Sequence, residues 1–417
     1  MHHFFYHDGH MFCEEVLVSS IAESVGTPFY LYSHATLKHH FITFNKAVSD
    51  VPHLICFSAK SNSNLAILKL FASLGSGLDI VSGGELYRGL KVGIPPHKIV
   101  YSGVGKREDE IEFALKSSIL MFNIESFQEL EAVNRCAKRL KTRAQIALRV
   151  NPDIDPRTHP YISTGLKKNK FGICMNEAKE AYQAARRLSH IKIIGVDCHI
   201  GSQVLDVEPF MDAFKRLKRL IEDLQSTGIE IRYLDLGGGL GITYDHELPP
   251  HPNEYGKAIL KTVGDIPVTL IFEPGRVIVG NAGILVTRVL YVKIGEKKNF
   301  IIVDAGMNDL IRPALYDAYH AINPVKKDKD ATFIADVVGP ICESSDFLAK
   351  DRRLPRVEPG DLLAVMSAGA YSFTMASNYN SRPRVPEVMV KKDQFYVIRK
   401  REDYEDLIAG ESIPEFL

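Results

Sequence analysis

Short apolar runs that alternate with amphipathic stretches organise the middle of the chain. Eight runs have the composition of strands buried on both faces: His53–Ala59, Gly77–Val81, Lys98–Tyr101, Ile119–Asn123, Ala144–Val150, Ile193–His199, Ile231–Leu236 and Val268–Glu273. Helical patterns separate them, and the clearest, over residues 210–224, stops before Gly228. Eight strands alternating with helices predict an α/β fold, namely a (β/α)8 barrel of the TIM type.

The polar residues that end these runs favour a barrel over an open doubly wound sheet. They are Lys60, Asn151, His199, Gly237–Gly239 and Glu273. A barrel uses the carboxyl ends of all its strands as one rim, whereas an open sheet uses chiefly one switch point. In addition, Asp235–Ile242 fails the dinucleotide-binding pattern G-x-G-x-x-G, because Ile242 stands where the third glycine belongs.

The segments that flank the barrel pattern are rich in predicted strands. Branched and aromatic residues between turn signals predict strands at Ile284–Ile294, Asn299–Asp304, Phe333–Val338 and Leu362–Met366. A further strand, Pro28–Ser33, follows a predicted helix at Ser20–Val25 and precedes the barrel. We therefore expect a barrel domain over residues 37–281 and a mostly β domain built from residues 1–36 and 282–417.

The composition of the chain argues against several classes of protein. The 417 residues carry 51 basic and 51 acidic side chains, so bulk charge favours neither nucleic acid nor an anionic membrane. No apolar run approaches a membrane span, and the first residues lack the features of a secretory signal. The six cysteines, at 13, 56, 136, 174, 198 and 342, form no C-x-x-C pair. We expect a cytoplasmic protein with reduced thiols, and we predict no metal site.

Lys60 is the first candidate for chemistry. It follows the apolar run at His53–Ala59, and Ser61 to Asn64 then supply helix-capping residues. A lysine that is rigidly held and partly desolvated at a strand end becomes a nucleophile toward carbonyls. The alternative is a lysine whose ammonium simply extends from the strand into water.

Three other features fall on the same predicted rim. Gly237–Gly239 could bind a phosphate through backbone N–H groups, or could be a flexible turn. Glu273–Arg276 offers a carboxylate, a constrained turn and a guanidinium, or a surface ion pair. His199–Gln203 places an imidazole near a small hydroxyl, although a lone histidine there is commonly structural. An amine, an imidazole, a phosphate-binding turn and a carboxylate on one rim indicate an active site.

Several segments resemble the fold-type III pyridoxal-phosphate decarboxylases. They are Phe57–Asn62, Gly77–Glu85, His199–Gln203, Asp235–Gly239 and Glu273–Arg276. Four later segments are similar to the diaminopimelate decarboxylases within that family: Asp304–Asn308, Arg312–Tyr316, Gly339–Asp346 and Ala368–Tyr371. The resemblance runs in order from about residue 28 to 390. One departure is Phe57-Ser58 in place of the common Tyr-Ala pair, which concerns packing near the lysine.

The resemblance implies pyridoxal 5'-phosphate as cofactor, with Lys60 and His199 as catalytic residues. Lys60 would hold the cofactor as a Schiff base, His199 would stack on its ring, and Glu273 would face its pyridine nitrogen. The remaining cofactor-binding residues implied are Asp79, Ser202, Gly237, Gly238, Gly239, Pro274, Gly275, Arg276 and Tyr371.

The resemblance also implies a substrate, meso-2,6-diaminopimelate, decarboxylated to L-lysine and CO2 as the last step of lysine biosynthesis. Arg312 would bind the distal carboxylate, with Arg276, Tyr316 and Tyr371 completing the substrate site, and Glu343 would bind the distal ammonium. Cys342 would donate the proton that replaces CO2, from the partner subunit of a head-to-tail homodimer. Its alternative is a small buried hydrophobe.

Other functions remain open at this point. A sister decarboxylase would act on ornithine, lysine, arginine or carboxynorspermidine, but substrates without a distal carboxylate have no use for Arg312. A racemase would need a second catalytic base. A non-catalytic regulatory barrel would tend to lose Cys342, Glu343 and Arg312, which are all present. The rim segment 153–171, with Lys167, Lys168 and Lys170, is expected to be a mobile loop.

Overall fold

The computed structural model describes residues 2–155, 170–327 and 331–417. Contacts divide the chain into two compact units. One unit comprises Lys38–Thr243 and Glu247–Ile278, and the other comprises Met1–Leu37, Tyr244–His246 and Val279–Leu417. Most of the expected rim loop, residues 156–169, and the end of the charged run at 326–330 lie outside the described residues.

The N-terminal part of the second unit forms four strands and two helices. They are β1 (Phe4–His7), β2 (His10–Cys13), β3 (Val16–Leu17), α1 (Val18–Val25), β4 (Phe29–Ser33) and α2 (His34–Ala47), of which α2 runs on into the barrel unit. β1, β2 and β3 make a small antiparallel sheet. The predicted helix at Ser20–Val25 is confirmed and begins two residues earlier.

Eight parallel strands close into the predicted barrel. They are β5 (His53–Ser58), β6 (Gly77–Ile80), β7 (Ile99–Tyr101), β8 (Met121–Ile124), β9 (Ala144–Asn151), β11 (Ile191–Asp197), β12 (Tyr233–Asp235) and β13 (Thr269–Phe272), with β10 (Ile173–Cys174) added beside β9. Pairing of β13 with β5 and of β8 with β9 completes the ring. The open-sheet alternative is therefore wrong, and each predicted strand is present to within two residues at either end.

Helices follow the barrel strands and begin where the sequence provides caps. They are α3 (Leu65–Ser73), α4 (Gly83–Lys91), α5 (Glu108–Ser117), α6 (Phe127–Arg139), α7 (Ala178–Arg187), α8 (Glu208–Ser226) and α9 (Pro252–Val263). The Asn64 side chain caps α3, and Ser126 caps α6 by accepting a hydrogen bond from the N–H of Glu129. On α8, Phe210, Phe214, Leu217, Ile221 and Leu224 are all buried, as the spacing predicts.

The second unit is built on a mixed β-sheet. After α10 (Arg276–Val279), its strands are β14 (Gly283–Lys293), β15 (Phe300–Val303), β16 (Ile322–Pro324), β17 (Thr332–Val338), β18 (Phe347–Pro355), β19 (Leu362–Val365), β20 (Glu387–Lys391) and β21 (Gln394–Arg399), with α11 (Arg312–Tyr316) and α12 (Tyr404–Ile408) between and after them. β4 lies between β14 and β20, which confirms that the Pro28–Ser33 strand joins this sheet. Phe29 and Leu31 of β4 pack in one core with Ile284, Val286 and Val388.

Four strands of this sheet were not predicted. β18 is the most instructive, because it carries Lys350, Asp351, Arg352 and Arg353 and shows no apolar run. Among the described strands it pairs only with β17, at the edge of the sheet, where charged side chains can face water. Among the described residues, no helix combines the length and the apolar composition needed to cross a bilayer.

Candidate active site

Lys60 lies just beyond the end of β5, in a short 3-10 turn at Ala59–Ser61. Its ammonium forms an ion pair with Asp79 Oδ2 at the end of β6. The Lys60 side chain is 30% exposed, whereas that of Asp79 is fully buried. Ser58 Oγ lies 2.7 Å from Asp79 Oδ2 and 3.0 Å from the carbonyl oxygen of Glu273. The amine is thus held against a buried carboxylate, which does not fit a lysine that merely extends into water.

His199 stands just after β11 as a neutral imidazole. Burial is the main cause that holds its pKa well below the usual range, and the nearby cations Arg149 and Lys60 act in the same direction. The N–H of Gly238 donates to His199 Nδ1 at 3.1 Å. Since Nδ1 accepts, the proton of the neutral ring is on Nε2. The ring is therefore fixed in orientation and carries no charge.

The glycine triplet after β12 has no room for side chains. A Cβ on Gly238 would lie 2.2 Å from the carbonyl oxygen of Glu273, and one on Gly239 would lie 2.5 Å from that of Gly201. Gly239 also has a φ of +109°, which L-residues rarely adopt. The N–H of Gly237 donates to Asp235 Oδ1 at 3.0 Å, as that of Gly238 does to His199. Two of the three N–H groups therefore have acceptors within the barrel, and the N–H of Gly239 is the candidate for an anion.

The Glu273–Arg276 turn packs directly on the lysine strand. The N–H of Glu273 donates to the carbonyl of Gly237 at 2.8 Å, and Pro274 accepts from the N–H of Ser58 at 3.1 Å. Arg276 Nη2 donates to Ser202 Oγ at 3.0 Å, and the Arg276 residue is only 5% exposed. Arg276 is therefore a buried group that faces a hydroxyl, not half of a surface ion pair.

Sequence reasoning missed a buried acidic cluster in the barrel. Oxygens of Asp197, Asp235 and Glu273 lie within 4.8 Å of one another. Burial is the main cause that raises the pKa of each, and mutual repulsion adds to it. The three carboxyls therefore bind protons more readily than isolated carboxyls do. Such oxygens could also surround a cation, but the cluster alone gives no evidence for one.

A polar network holds this cluster in place. Asn123 Nδ2 donates to Ser102 Oγ at 3.0 Å and to Asp235 Oδ2 at 3.2 Å, and Ser102 Oγ lies 3.3 Å from Glu273 Oε1. Arg149 donates to Glu125 at 2.8 Å. Each of these residues is buried. The available sequence signal was a polar residue inside or just after an otherwise apolar strand.

The other predicted site residues belong to the second unit. Arg312 begins α11 and is 6% exposed, with its guanidinium carbon 5.2 Å from the ring centre of Tyr244 and 5.8 Å from that of Tyr316. It is not a surface ion pair. Cys342 and Glu343 are exposed on the loop after β17, and Tyr371 adopts a left-handed φ of +54°.

The barrel unit therefore brings together the predicted cofactor residues that it contains, which are all of them except Tyr371. Hydrogen bonds lead from Lys60 through Asp79, Ser58 and Glu273 to Gly237, and from Gly238 to His199. A further hydrogen bond joins Arg276, on the turn that follows β13, to Ser202, in the segment that follows β11. Arg312, Tyr316, Cys342, Glu343 and Tyr371 belong to the other unit.

Comparisons with known proteins agree on one family. Residues 34–280 match the family model described as pyridoxal-dependent decarboxylase, pyridoxal binding domain. A diaminopimelate decarboxylase of Vibrio cholerae is 53% identical over 407 residues, which cover 97% of each chain.

Two solved structures extend the agreement to the fold. A diaminopimelate decarboxylase from M. jannaschii, in co-complex with L-lysine, has a TM-score of 0.95 and 39% identity and covers 99% of this chain and 98% of its own. One from Helicobacter pylori, complexed with L-lysine, has a TM-score of 0.91 and 46% identity over 94% of this chain and 98% of its own. The chain belongs to the diaminopimelate decarboxylase family of the pyridoxal-dependent decarboxylases.

Proposed function

We propose that this chain decarboxylates meso-2,6-diaminopimelate to L-lysine and CO2, with pyridoxal 5'-phosphate bound in the barrel domain over residues 37–281. The observation that carries the proposal is the buried hydrogen-bonded sequence from Lys60 to the glycine triplet, in a chain 53% identical to a diaminopimelate decarboxylase. The L-lysine bound by two of its structural relatives is the product that this reaction yields.

The barrel residues fit the cofactor in their chemistry. Lys60 Nζ would form the covalent link, and Asp79 holds that nitrogen in position. Gly239 has no side chain to obstruct a phosphate, and Gly275, Arg276 and Ser202 lie on the adjoining segments. Bound pyridoxal phosphate supplies an electron sink for the negative charge that loss of CO2 leaves behind.

Two barrel residues would tune and orient the cofactor ring. The raised pKa of Glu273, caused by burial and by Asp235 and Asp79, lets its carboxyl hold a proton that it can share with a ring nitrogen. His199 is neutral and fixed through Nδ1, so it offers a flat face for stacking. A fixed ring plane sets the direction of the bond that breaks.

Recognition of the substrate is assigned chiefly to residues of the second unit, together with Arg276 of the barrel unit. Arg312 is buried against aromatic rings, so its planar guanidinium is preorganised for two parallel hydrogen bonds to the distal carboxylate. Arg276, Tyr316 and Tyr371 would complete the substrate site, and Tyr371 would also bind the cofactor. Glu343 would bind the distal ammonium.

The proton donor is proposed to be Cys342 acting in the partner subunit of a cytoplasmic homodimer. Cys342 is exposed, whereas Cys13, Cys56, Cys136 and Cys198 are buried. A thiol must be accessible to donate a proton to a substrate, so its exposure supports this role over that of a small core residue.

The test measures CO2 release by the purified protein with meso-diaminopimelate, ornithine, lysine, arginine and carboxynorspermidine. We expect release with diaminopimelate, and a visible absorption band of bound cofactor that is lost in Lys60→Ala. Preference for a substrate without a distal carboxylate would favour a sister decarboxylase. A bound cofactor without CO2 release from any of them would favour a regulatory barrel.

A further inference from the structure

The loop that carries Cys342 and Glu343 is anchored at its base by hydrogen bonds to Asp346. It spans residues 339–346, between β17 and β18. The carboxylate of Asp346, which is 4% exposed, accepts hydrogen bonds from the N–H groups of Ile341 and Met307, both at 2.6 Å. The base of the loop is therefore fixed, while Cys342 and Glu343 at its tip are exposed.

The tip is held from one side by a single turn, Tyr379–Ser381. Asn380 Oδ1 accepts a hydrogen bond from the N–H of Cys342 at 2.8 Å. The hydroxyl of Tyr379 donates to Glu343 Oε2 at 2.9 Å. Two adjacent residues of this turn thus contact the two adjacent residues that the proposed reaction uses.

The turn has a backbone that most residues avoid. Asn380 has a φ of +55° and Ser381 a φ of +53°, so two consecutive non-glycine residues are left-handed. Asparagine tolerates this conformation better than most side chains. Asn378 Nδ2 ties the turn at its base, with hydrogen bonds to the carbonyl of Arg382 at 3.0 Å and to Glu402 at 2.8 Å. Strain of this kind persists only where surrounding contacts maintain it.

We propose that the Tyr379–Ser381 turn is a positioning element, in which Asn380 sets the backbone at Cys342 and Tyr379 orients the Glu343 carboxylate. Asn380 would thereby fix the direction of the thiol, and Tyr379 would leave the other carboxylate oxygen for the distal ammonium. The adjacent carboxylate raises the pKa of Tyr379, so its hydroxyl stays a donor. The proposal rests on the proposed decarboxylase function for its kinetic consequences, but not for the contacts.

Asn380 is tested by a pair of substitutions. Asn380→Gly keeps the left-handed backbone and removes the acceptor, whereas Asn380→Asp keeps an acceptor oxygen. We expect amide hydrogen exchange at Cys342 to rise about 5-fold in Asn380→Gly, as for loss of one hydrogen bond, and kcat to fall by a similar factor with KM unchanged. Asn380→Asp should keep the exchange rate at Cys342 and kcat close to those of the unmodified protein. Lys392→Gly is the control, because Lys392 is an exposed left-handed residue in the turn between β20 and β21, and it should leave both values unchanged.

Tyr379 is tested by Tyr379→Phe, which keeps the ring and removes the donor. We expect KM for diaminopimelate to rise about 5-fold, with kcat within about 2-fold of the unmodified protein. Tyr404→Phe serves as the control, because Tyr404 is 77% exposed in another part of the unit. A matching change in KM in Tyr404→Phe would overturn the assignment.

The outcomes separate this inference from the proposed function. Unchanged exchange at Cys342 in Asn380→Gly, or an Asn380→Asp protein that behaves like Asn380→Gly, would overturn the positioning role. A protein that releases no CO2 from any diamino acid would reject the proposed function, while the exchange measurement would still decide whether Asn380 holds the loop.

Discussion

Gly238→Ala adds one methyl group at the most crowded point of the cofactor site. The new Cβ would lie 2.2 Å from the carbonyl oxygen of Glu273 and 3.1 Å from its carbonyl carbon. Ordinary van der Waals contacts of a Cβ lie at 3.4 to 4 Å, so the backbone at Glu273 must move by roughly 1 Å. Both neighbours are backbone, and no side-chain rotation can relieve the clash.

The displacement would disturb two hydrogen bonds of Glu273, one of which leads through Ser58 and Asp79 to Lys60. The N–H of Glu273 donates to Gly237, and the carbonyl of Glu273 accepts from Ser58, whose hydroxyl also meets Asp79. Overpacking costs about 1 to 3 kcal/mol, and weakening two hydrogen bonds adds about 1 kcal/mol each. We expect the free energy of unfolding to fall by roughly 3 to 5 kcal/mol, and affinity for pyridoxal phosphate to fall with it.

Thermal unfolding of the cofactor-free protein measures the stability loss, and titration followed by visible absorption measures the affinity. Gly105→Ala is the matched control, because a Cβ there meets nothing within 4 Å and its φ is not left-handed. If Gly238→Ala unfolds and binds cofactor like Gly105→Ala, the crowding argument is wrong.

Two further predictions concern charge. Arg312→Ala should raise KM for diaminopimelate about 100-fold by removing charge-assisted hydrogen bonds to its distal carboxylate. Arg312→Lys should recover only part of this loss. Steady-state kinetics of Arg312→Ala with unchanged KM and turnover would refute the substrate assignment. Burial is the main cause that raises the pKa of Glu85 from 4.5 to about 7. Between these two pH values, the folded chain keeps a proton on Glu85 that the unfolded chain has lost. The free energy of unfolding should therefore fall as pH rises through that range. Glu85→Gln, which retains an acceptor for the N–H of Val81, should flatten the fall in thermal melts, and an unaltered pH profile would exclude this group.

The barrel could be predicted from sequence because of where its strands lie. Parallel strands covered on both faces need apolar residues at nearly every position, as Ile55, Cys56 and Phe57 show. The polar residues that end them, such as Lys60 and Gly237, are then conspicuous. At these residues the local sequence pattern and the position in the folded barrel point to the same structure.

The features that the sequence did not predict depend on closure of the barrel and on contacts between residues far apart in the chain. Asp197 and Asp235 are ordinary strand-end acids in sequence, and only closure of the ring brings them to Glu273. β18 is charged because one edge of the sheet faces water, so it lacks the signal of its neighbours. The contact of Asn380 with Cys342 joins residues 38 positions apart, and nothing in either segment's pattern specifies it.

The central place of β4 has a consequence for how the chain is made. Residues 29–33 pair on one side with Gly283–Val286 and on the other with Glu387–Val390. At a synthesis rate of about 5 to 20 residues per second, this strand would wait roughly 20 to 70 s for its second neighbour. The barrel sequence emerges in between and can fold first. A nascent chain would thus carry an apolar strand with at least one unpaired edge until Glu387–Val390 emerges, which makes Phe29–Ser33 a natural segment for chaperone binding and for mispairing between chains.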